Sequence, residues 1–179
     1  FVADHTEAPF LTDAMSPKVR VESAQFVKEI GLQDRTIYNS IYKGVQEAEL
    51  QKRKELGIKT SIVLADNPKD GSFNGKMAVL DEALDMAKRA GIEQVLIDCA
   101  IPAFAPDMGI TVRAIPEIKE KFGYPTGLGT GNVVTTMGWV KAHVAKEYRK
   151  GCVTATNSIM QVQGANWLMF GPAEQSEFV

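Results

Sequence analysis

Short runs of apolar residues alternate along the chain with longer segments in which apolar residues recur every three or four positions. Residues 94–101 (QVLIDCAI) form a continuous apolar run around one acid, which is typical of a strand buried on both faces of a parallel sheet. The preceding segment, residues 76–90, has helical spacing and is followed by Gly91, a common helix stop. The pattern therefore predicts a repeat of strand and helix.

The same pattern predicts six strands and seven helical segments. The strands are residues 9–14, 36–41, 60–66, 94–101, 125–132 and 165–170. The helices are residues 16–30, 48–56, 76–90, 112–122, 134–148 and 153–163, and residues 1–8 resemble the end of a helix that begins upstream. Strands that alternate with helices indicate an α/β protein with a parallel sheet.

Five of the predicted strands carry a polar residue at or near their carboxyl ends, at intervals of 26 to 34 positions. These residues are Asp13, Asn39, Asp66, Asp98 and Asn132. Polar groups spaced by one strand-helix unit are typical of a (β/α)8 TIM barrel, whose active site lies at the carboxyl ends of its strands. A doubly wound sheet is the alternative, but it would concentrate such groups at one switch point.

The expected domain organisation is one barrel domain over residues 1–179, with no linker inside it. A TIM barrel typically has ~250 residues, so we expect this chain to cover about strands 3 to 8, without roughly two N-terminal strands and the last helix. The first residue is Phe1 and not Met, so we expect either a removed N-terminus or a longer parent chain.

Any single Asp or Asn at a strand end has an alternative role as a helix N-cap or a loop contact. Asp66 lies in an Asp-Asn-Pro sequence that is also an ordinary turn, and Asp13 precedes the Ser-Pro start of a helix. Asp98 and Asn39 are flanked by apolar or aromatic strand residues, which favours a functional role for these two.

A glycine run leads to Asn132. Gly127, Gly129 and Gly131 would let the backbone approach a ligand closely. The run contains no GK[ST] sequence and does not fit GxGxxG, so a Walker site or a dinucleotide site is unsupported.

The composition is that of a soluble globular domain of 179 residues, with 45% hydrophobic and 23% charged residues and a net charge of −2. This charge predicts no nucleic-acid partner, and no apolar run is long enough for membrane insertion. Because no signal peptide is recognisable, we expect a cytoplasmic protein. Two distant cysteines and the isolated His5 and His143 give no metal-ligand spacing.

The candidate site therefore consists of carboxylates and carboxamides, without a lysine for a Schiff base or a nucleophile beside a base. A glycosidase is unsupported, because the strand ends carry no Glu as second acid and little aromatic surface for a sugar. Carboxylates and amides suit a flat nitrogen heterocycle with several N–H donors, such as a pterin. Arg113 at a helix start could anchor a carboxylate, but we expect a structural ion pair there.

The sequence resembles the H subunit of tetrahydromethanopterin S-methyltransferase, and equally the bacterial methylcorrinoid:tetrahydrofolate methyltransferases, over essentially the whole chain. The segments that carry the resemblance are LTDAMSPKVR, IYNSIYKG, SIVLADNP, LIDCAI, VRAIPEIKEKFGYPTGLGTGN and GANWLMFGP, in this order. The resemblance implies a pterin-binding TIM barrel.

The resemblance also implies roles for the strand-end residues. Asp13, Asn39 and Asp98 match residues that hydrogen-bond the pterin ring, and Asn132 matches an amide near pterin N5, where it would be the catalytic residue. The expected substrate-binding set is Asp13, Asn39, Asp66, Asp98, Gly129 and Asn132.

The methyl group is then expected to pass between N5 and the cobalt of a corrinoid carried by a separate protein, with no metal site in this chain. The compact segment of residues 66–91 favours tetrahydrofolate over tetrahydromethanopterin. The alternatives are a dihydropteroate synthase-like condensing enzyme, which would need basic groups near the last strands, and a non-catalytic assembly subunit. We also expect a homodimer.

Overall fold

Six strands alternate with helices in the computed structural model, which describes residues 1–101, 108–132, 137–171, 173 and 176. The strands are β1 (Phe10–Asp13), β2 (Thr36–Ile41), β3 (Thr60–Leu64), β4 (Gln94–Asp98), β5 (Thr126–Gly129) and β6 (Trp167–Met169). They follow chain order in the sheet, and the pairs β1–β2, β2–β3, β4–β5 and β5–β6 are parallel. Because the order never reverses among these strands, the sheet has no switch point of the doubly wound kind.

The helices connect successive strands, as the pattern predicts. They are α1 (Val2–His5), α2 (Pro17–Glu29), α3 (Glu47–Leu56), α4 (Phe73–Arg89), α5 (Gly109–Phe122), α6 (Gly138–His143) and α7 (Arg149–Val162), with 3₁₀ turns at Gln33–Arg35 and Lys146–Tyr148. Gly57 ends α3 with φ 75°, a left-handed conformation that glycine adopts without strain. None of the helices in the described residues has the length and apolar character needed to cross a membrane.

Asp66 does not end a strand, because β3 stops two residues before it. The following Asn67 holds a turn instead. Its Nδ2 donates to the carbonyl of Gly75 (3.1 Å), and its Oδ1 accepts the backbone N–H of Lys69 (3.2 Å). Side-chain to backbone bonds of this kind compete with extension of a strand. The prediction that Asp66 is a strand-end residue is therefore wrong.

The prediction of one helix over residues 134–148 is also wrong, and residues 133–136 lie outside the described part of the chain. The six-residue α6 is followed by a 3₁₀ turn, and α7 begins at Arg149. The Arg149 guanidinium explains the break, since Nε donates to the carbonyl of Val144 (3.1 Å) and Nη2 to that of Lys141 (3.1 Å). These bonds occupy carbonyls that a continuous helix would pair with its own backbone.

The chain divides into two compact units. Unit 1 is Phe1–Leu64 with Ala78–Leu96, and unit 2 is Ala65–Met77 with Ile97–Val179. Each unit has its own apolar core of fully buried side chains. In unit 1 these include Ile41, Leu50, Ile58, Ile62 and Leu80, and in unit 2 they include Ile97, Ile115, Ile118, Leu128 and Met160.

Candidate functional site

Asp13 and Asn39 lie side by side in unit 1. Asp13 is the last residue of β1, and its register partner on β2 is Asn39. Neighbouring strands lie about 4.8 Å apart, so the two side chains emerge close together on one face. Asp13 is exposed and Asn39 is half-buried. Asn39 is followed by two more strand residues, so it lies within β2 and not at its end.

Asp98 closes β4 in unit 2 and is buried, with 6% of its surface exposed. Its Oδ1 accepts a hydrogen bond from the backbone N–H of Ala100 (2.7 Å), and its carbonyl accepts one from Ala65 (2.8 Å). Ala100 has φ 54°, so the chain turns sharply directly after the carboxylate. Burial raises the pKa of Asp98 to about 6, because the charged form loses its hydration.

Lys76 is a buried cation beside this strand end, and sequence reasoning missed it. It lies in the first turns of α4, and its Nζ donates to the carbonyls of Cys99 (2.9 Å) and Ala100 (2.6 Å). Burial lowers the pKa of Lys76, while electrostatic interactions with Cys99, Asp66 and Asp98 oppose that shift. In return, the ammonium favours the ionised form of Asp98. No sequence signal marks a helical lysine whose side chain bends back to the end of the next strand.

Asn132 is exposed and has helical backbone, three residues beyond the end of β5 at Gly129. The prediction that it ends a strand over residues 125–132 is therefore wrong. A Cβ built on Gly129 would lie 3.6 Å from Asn132 Nδ2, so the amide lies beside this glycine. Asp98 pairs in register with Gly127, and Gly129 is on the same face of β5 two residues later. The carboxylate of Asp98 and the amide of Asn132 therefore follow neighbouring strands of unit 2.

Two glycines of the run serve packing and not ligand approach. A Cβ on Gly127 would collide with the carbonyl oxygen of Trp167 in β6, and one on Gly131 would lie 2.9 Å from the backbone nitrogen of Gly171. The expectation that all three glycines open the backbone to a ligand is wrong. It stays a prediction only for Gly129, whose nearest neighbours would be at ordinary contact distance.

The remaining sequence candidates are local packing groups. His5 and His143 each contact a carbonyl four residues earlier through Nδ1, and the ring of His143 stacks on Trp139. Arg113 lies over the ring of Phe73, 4.4 Å from its centroid. It forms no ion pair with another described residue, and the expected ion pair stays a prediction. Within the described residues, no three His, Cys, Asp or Glu side chains group to hold a metal ion.

Comparison with known families gives a match over the full length. The family model described as tetrahydromethanopterin S-methyltransferase MtrH subunit matches residues 1–179. The H subunit of tetrahydromethanopterin S-methyltransferase from Methanothermobacter thermautotrophicus is 35% identical over 99% of this chain and 60% of that protein. The H subunit of the putative methyltransferase mtx from Methanosarcina mazei is 33% identical over 100% of this chain and 61% of that protein. The chain thus spans about 60% of the length of the curated relatives it matches.

Solved structures with a similar fold include dihydropteroate synthases. The Yersinia pestis enzyme with a pterine-sulfa conjugate superimposes with a TM-score of 0.72 at 17% identity, over 98% of this chain and 68% of that chain. The Xanthomonas albilineans enzyme with 7,8-dihydropteroate gives a TM-score of 0.66 at 18% identity, over 98% and 66%. At such identity the likeness shows the fold alone, and it confirms the predicted α/β architecture of the TIM-barrel class.

Proposed function

The chain belongs to the family of tetrahydromethanopterin S-methyltransferase MtrH subunits, and on that basis we propose that it binds a reduced pterin for methyl transfer. The methyl group passes between N5 of the pterin and the corrinoid cobalt of a partner protein. The relatives are named as methyltransferase subunits, and this name is the source of the reaction class.

One observation supports a pterin at this place more than any other. Asp98, a buried carboxylate, and Asn132, an exposed amide, follow adjacent strands of one unit. The Ala100 N–H already donates to Oδ1 of this buried acid, and an ionised carboxylate can accept further hydrogen bonds. The ring N–H and amino groups of a pterin are donors for such a carboxylate, and an amide can both donate to and accept from a heterocycle.

Asp13 and Asn39 are two further residues that we propose as ring-binding groups, on the basis of the resemblance. Their register in unit 1 presents another carboxylate and another amide side by side. Such a set matches a ligand with donors and acceptors along one edge, and it offers no strong nucleophile. Holding the pterin in one orientation is therefore the main task of these residues, since transfer in line depends on alignment of the reacting atoms.

Asn132 is the proposed catalytic residue. When the methyl group leaves N5, the bonding electron pair stays on the nitrogen, which takes up a proton from solvent. The reduced corrinoid of the partner would accept the methyl group as co-substrate and would supply the electron pair for the new bond. An amide N–H directed at N5 stabilises the charge that develops there. Because the amide is neutral, it does not oppose the reverse direction, in which the N5 lone pair attacks the methyl group.

Tetrahydromethanopterin is the pterin that we propose. The compact segment at residues 66–91 favoured tetrahydrofolate, but the relatives carry tetrahydromethanopterin in their names at 34–35% identity. The dihydropteroate synthase likeness concerns the fold, so condensation chemistry gains no support from it. The relatives are also named as subunits, so we propose that a corrinoid-bearing chain assembles with this one; a homodimer stays a prediction for light scattering to test.

Calorimetry and a methyl-transfer assay test the proposal. The full chain should bind tetrahydromethanopterin more tightly than tetrahydrofolate and should catalyse transfer between the 5-methyl form and cob(I)alamin. Asn132→Ala should lower the rate by roughly 10²-fold, in line with the loss of one oriented donor, with little change in pterin affinity. Asn74→Ala, at an exposed asparagine of α4, is the matched control. Failure to bind any reduced pterin would remove the proposed function.

A further inference from the structure

A cluster of buried charged and polar side chains lies behind the strands that carry Asp13 and Asn39. Its members, here called the Glu49 cluster, are Arg20 of α2, Tyr38 of β2, and Glu49 and Arg53 of α3. They are between 1% and 6% exposed. In the sequence, Glu49 and Arg53 look like ordinary charges of a polar helix.

Glu49 is the centre of the cluster. Its two carboxylate oxygens accept a bidentate pair from Arg20, with Nε at 3.0 Å from Oε1 and Nη2 at 3.1 Å from Oε2. Oε1 also accepts the hydroxyl of Tyr38 (2.8 Å) and Nη2 of Arg53 (3.1 Å). The Arg53 guanidinium lies over the Tyr38 ring, 3.5 Å from its centroid. Burial alone would raise the pKa of Glu49, but the bonds from Arg20 and Tyr38 hold it below its ordinary value.

Stability alone is a weak explanation for such a cluster. Two arginines and one glutamate must lose their hydration, and apolar residues of similar volume often stabilise a protein as well or better. Among the described residues, Nε and Nη1 of Arg53 also have no hydrogen-bond partner. What a cluster of this kind does supply is a fixed geometry for the groups it joins.

The groups that it joins are the segments next to both candidate pterin ligands. Arg20 Nη1 donates to the carbonyls of Ala14 (3.0 Å) and Met15 (3.1 Å), which follow Asp13 directly. This bond pair fixes the chain at the point where it leaves β1. Without it, the carbonyls after Asp13 would have no such anchor, and the exposed carboxylate would stand directly before a looser turn.

A second set of contacts connects the Glu49 cluster to Asn39. Tyr38 precedes Asn39 in β2, and Glu49 holds its ring through the hydroxyl. The Tyr38 carbonyl in turn accepts the hydroxyl of Ser61 from β3 (2.9 Å). Side chain and backbone of Tyr38 are therefore both held, and the next residue along the strand is the amide proposed to bind the pterin.

We propose that Glu49 is a positioning residue for pterin binding, which acts through Arg20 on Asp13 and through Tyr38 on Asn39. This inference rests on the proposed function, since it assigns Glu49 to the same ligand. Glu49 itself is buried behind the strands and touches neither the pterin nor the reacting atoms. Its loss should therefore change the affinity for the pterin and leave the chemical step at Asn132 intact.

Glu49→Gln in the full chain tests this, because it keeps the size of the side chain and removes the charge that binds both arginines. We expect the Kd for 5-methyltetrahydromethanopterin to rise about tenfold, in proportion to the charged hydrogen bonds lost. The kcat of methyl transfer at saturating pterin should stay within about twofold, since no transition-state contact changes. Glu47→Gln, on the same helix but in an exposed pair with Arg89, is the control and should leave Kd unchanged.

A double-mutant cycle separates positioning from a general structural effect. In the background Asp13→Asn with Asn39→Ala, Glu49→Gln should change Kd by less than about twofold, because the groups through which it acts are gone. Tyr38→Phe, which deletes one hydroxyl, should raise Kd about threefold and serves if Glu49→Gln does not fold. A full tenfold effect in the double background, or a fall in kcat with unchanged Kd, would overturn the inference.

The outcomes also distinguish this inference from the function on which it rests. If the unmodified chain binds no reduced pterin, both are lost. If it binds pterin and the Asp13 and Asn39 variants weaken binding, but Glu49→Gln and Tyr38→Phe do not, the positioning role alone is overturned. If the Asp13 and Asn39 variants bind as tightly as the unmodified chain, the positioning role is overturned while the reaction class stands.

Discussion

Asp98 is an acid held at the end of a strand where its ionised form is disfavoured. Burial raises its pKa to about 6, while the Ala100 N–H and the Lys76 ammonium act in the opposite direction. The folded chain therefore binds the Asp98 proton more tightly than the unfolded chain does. This contribution to stability is fully present below the ordinary pKa of an aspartate and is lost as the pH rises through about 6.

Asp98→Asn should remove that pH dependence. Between pH 4 and pH 7 the unmodified chain should lose on the order of 3 kcal/mol of unfolding free energy relative to the variant. Urea unfolding of both proteins across this range gives the difference, and Asp34→Asn, at an exposed aspartate, is the control. A difference that does not change with pH would show that the Asp98 carboxyl titrates in the folded chain as it does in the unfolded one.

Lys76→Met should affect the same strand end in two ways. The carbonyls of Cys99 and Ala100 lose their buried donor, so the free energy of unfolding should fall by about 2 kcal/mol. Loss of the ammonium also removes a charge that favours the Asp98 carboxylate, so the pKa of Asp98 should rise. The free energy of unfolding should then continue to fall above pH 6.

The control for Lys76→Met is Lys88→Met, at an exposed lysine of the same helix. Urea unfolding at several pH values measures both effects. Equal unfolding free energies for the two variants would mean that the buried ammonium contributes no more than a solvated one.

At the residue scale, the sequence predicts an acid within an apolar strand better than a charged residue that is buried on a helix. Asp98 could be predicted because an acid interrupts an apolar run that must be buried. Lys76 and Glu49 could not, because each lies in a helical segment where a charged residue is normal on the solvent side. Which charge turns inward depends on the position of neighbouring strands, and periodicity does not contain that information.

At the scale of elements, the hydrophobic pattern predicts the bounds of strands and helices that packing determines. It fails where a side chain forms hydrogen bonds with the backbone. β2 has the predicted bounds, residues 36–41, because alternation and β-branched content agree there. The end of β3 and the extent of α6 differ because Asn67 and Arg149 occupy backbone groups through their side chains. Such bonds depend on the conformation already formed, so composition alone gives them no signature.

The glycines of β5 allow a test of packing at this scale. Gly127→Ala would press a methyl group against the Trp167 carbonyl of β6, which is backbone and cannot move away cheaply, so it should cost about 1–3 kcal/mol of stability. Gly129→Ala meets Asn132 Nδ2 at 3.6 Å and Met169 Cε at 3.8 Å, so its effect should stay within about 0.5 kcal/mol. Chemical denaturation compares the two. A larger loss of stability for Gly129→Ala than for Gly127→Ala would contradict the close packing of β6 against Gly127.

At the scale of the whole molecule, chain-order strands and polar strand ends point to one architecture. The spacing of Asp13, Asn39, Asp66, Asp98 and Asn132 by 26 to 34 positions follows from repetition of one strand-helix unit, and the strand order without reversal agrees with it. The identity of the pterin is a different matter. It depends on contacts to the parts of the ligand beyond the shared ring, and the length of residues 66–91 is only an indirect guide to such contacts.

Folding and binding of the whole molecule are linked, and this linkage separates the two roles proposed for the strand-end residues. A ligand that binds only the folded chain raises its unfolding free energy by about 2.7 kcal/mol at a concentration of 100 times Kd. 5-Methyltetrahydromethanopterin should therefore raise the Tm of the unmodified chain and of Asn132→Ala alike, because Asn132 acts on the methyl transfer. Asp98→Asn should show a smaller rise at the same concentration, because a carboxylate acceptor for the ring is lost.

Differential scanning fluorimetry with and without the pterin measures these shifts, and Asn74→Ala should match the unmodified chain. The comparison uses each variant's own ligand-free Tm as its reference, so a change in intrinsic stability does not enter. If Asn132→Ala lost as much of the shift as Asp98→Asn, then Asn132 would contribute to ground-state binding as strongly as the carboxylate does. Its loss of transfer activity would then no longer distinguish catalysis from binding, and the donor at N5 would have to be sought elsewhere in the chain.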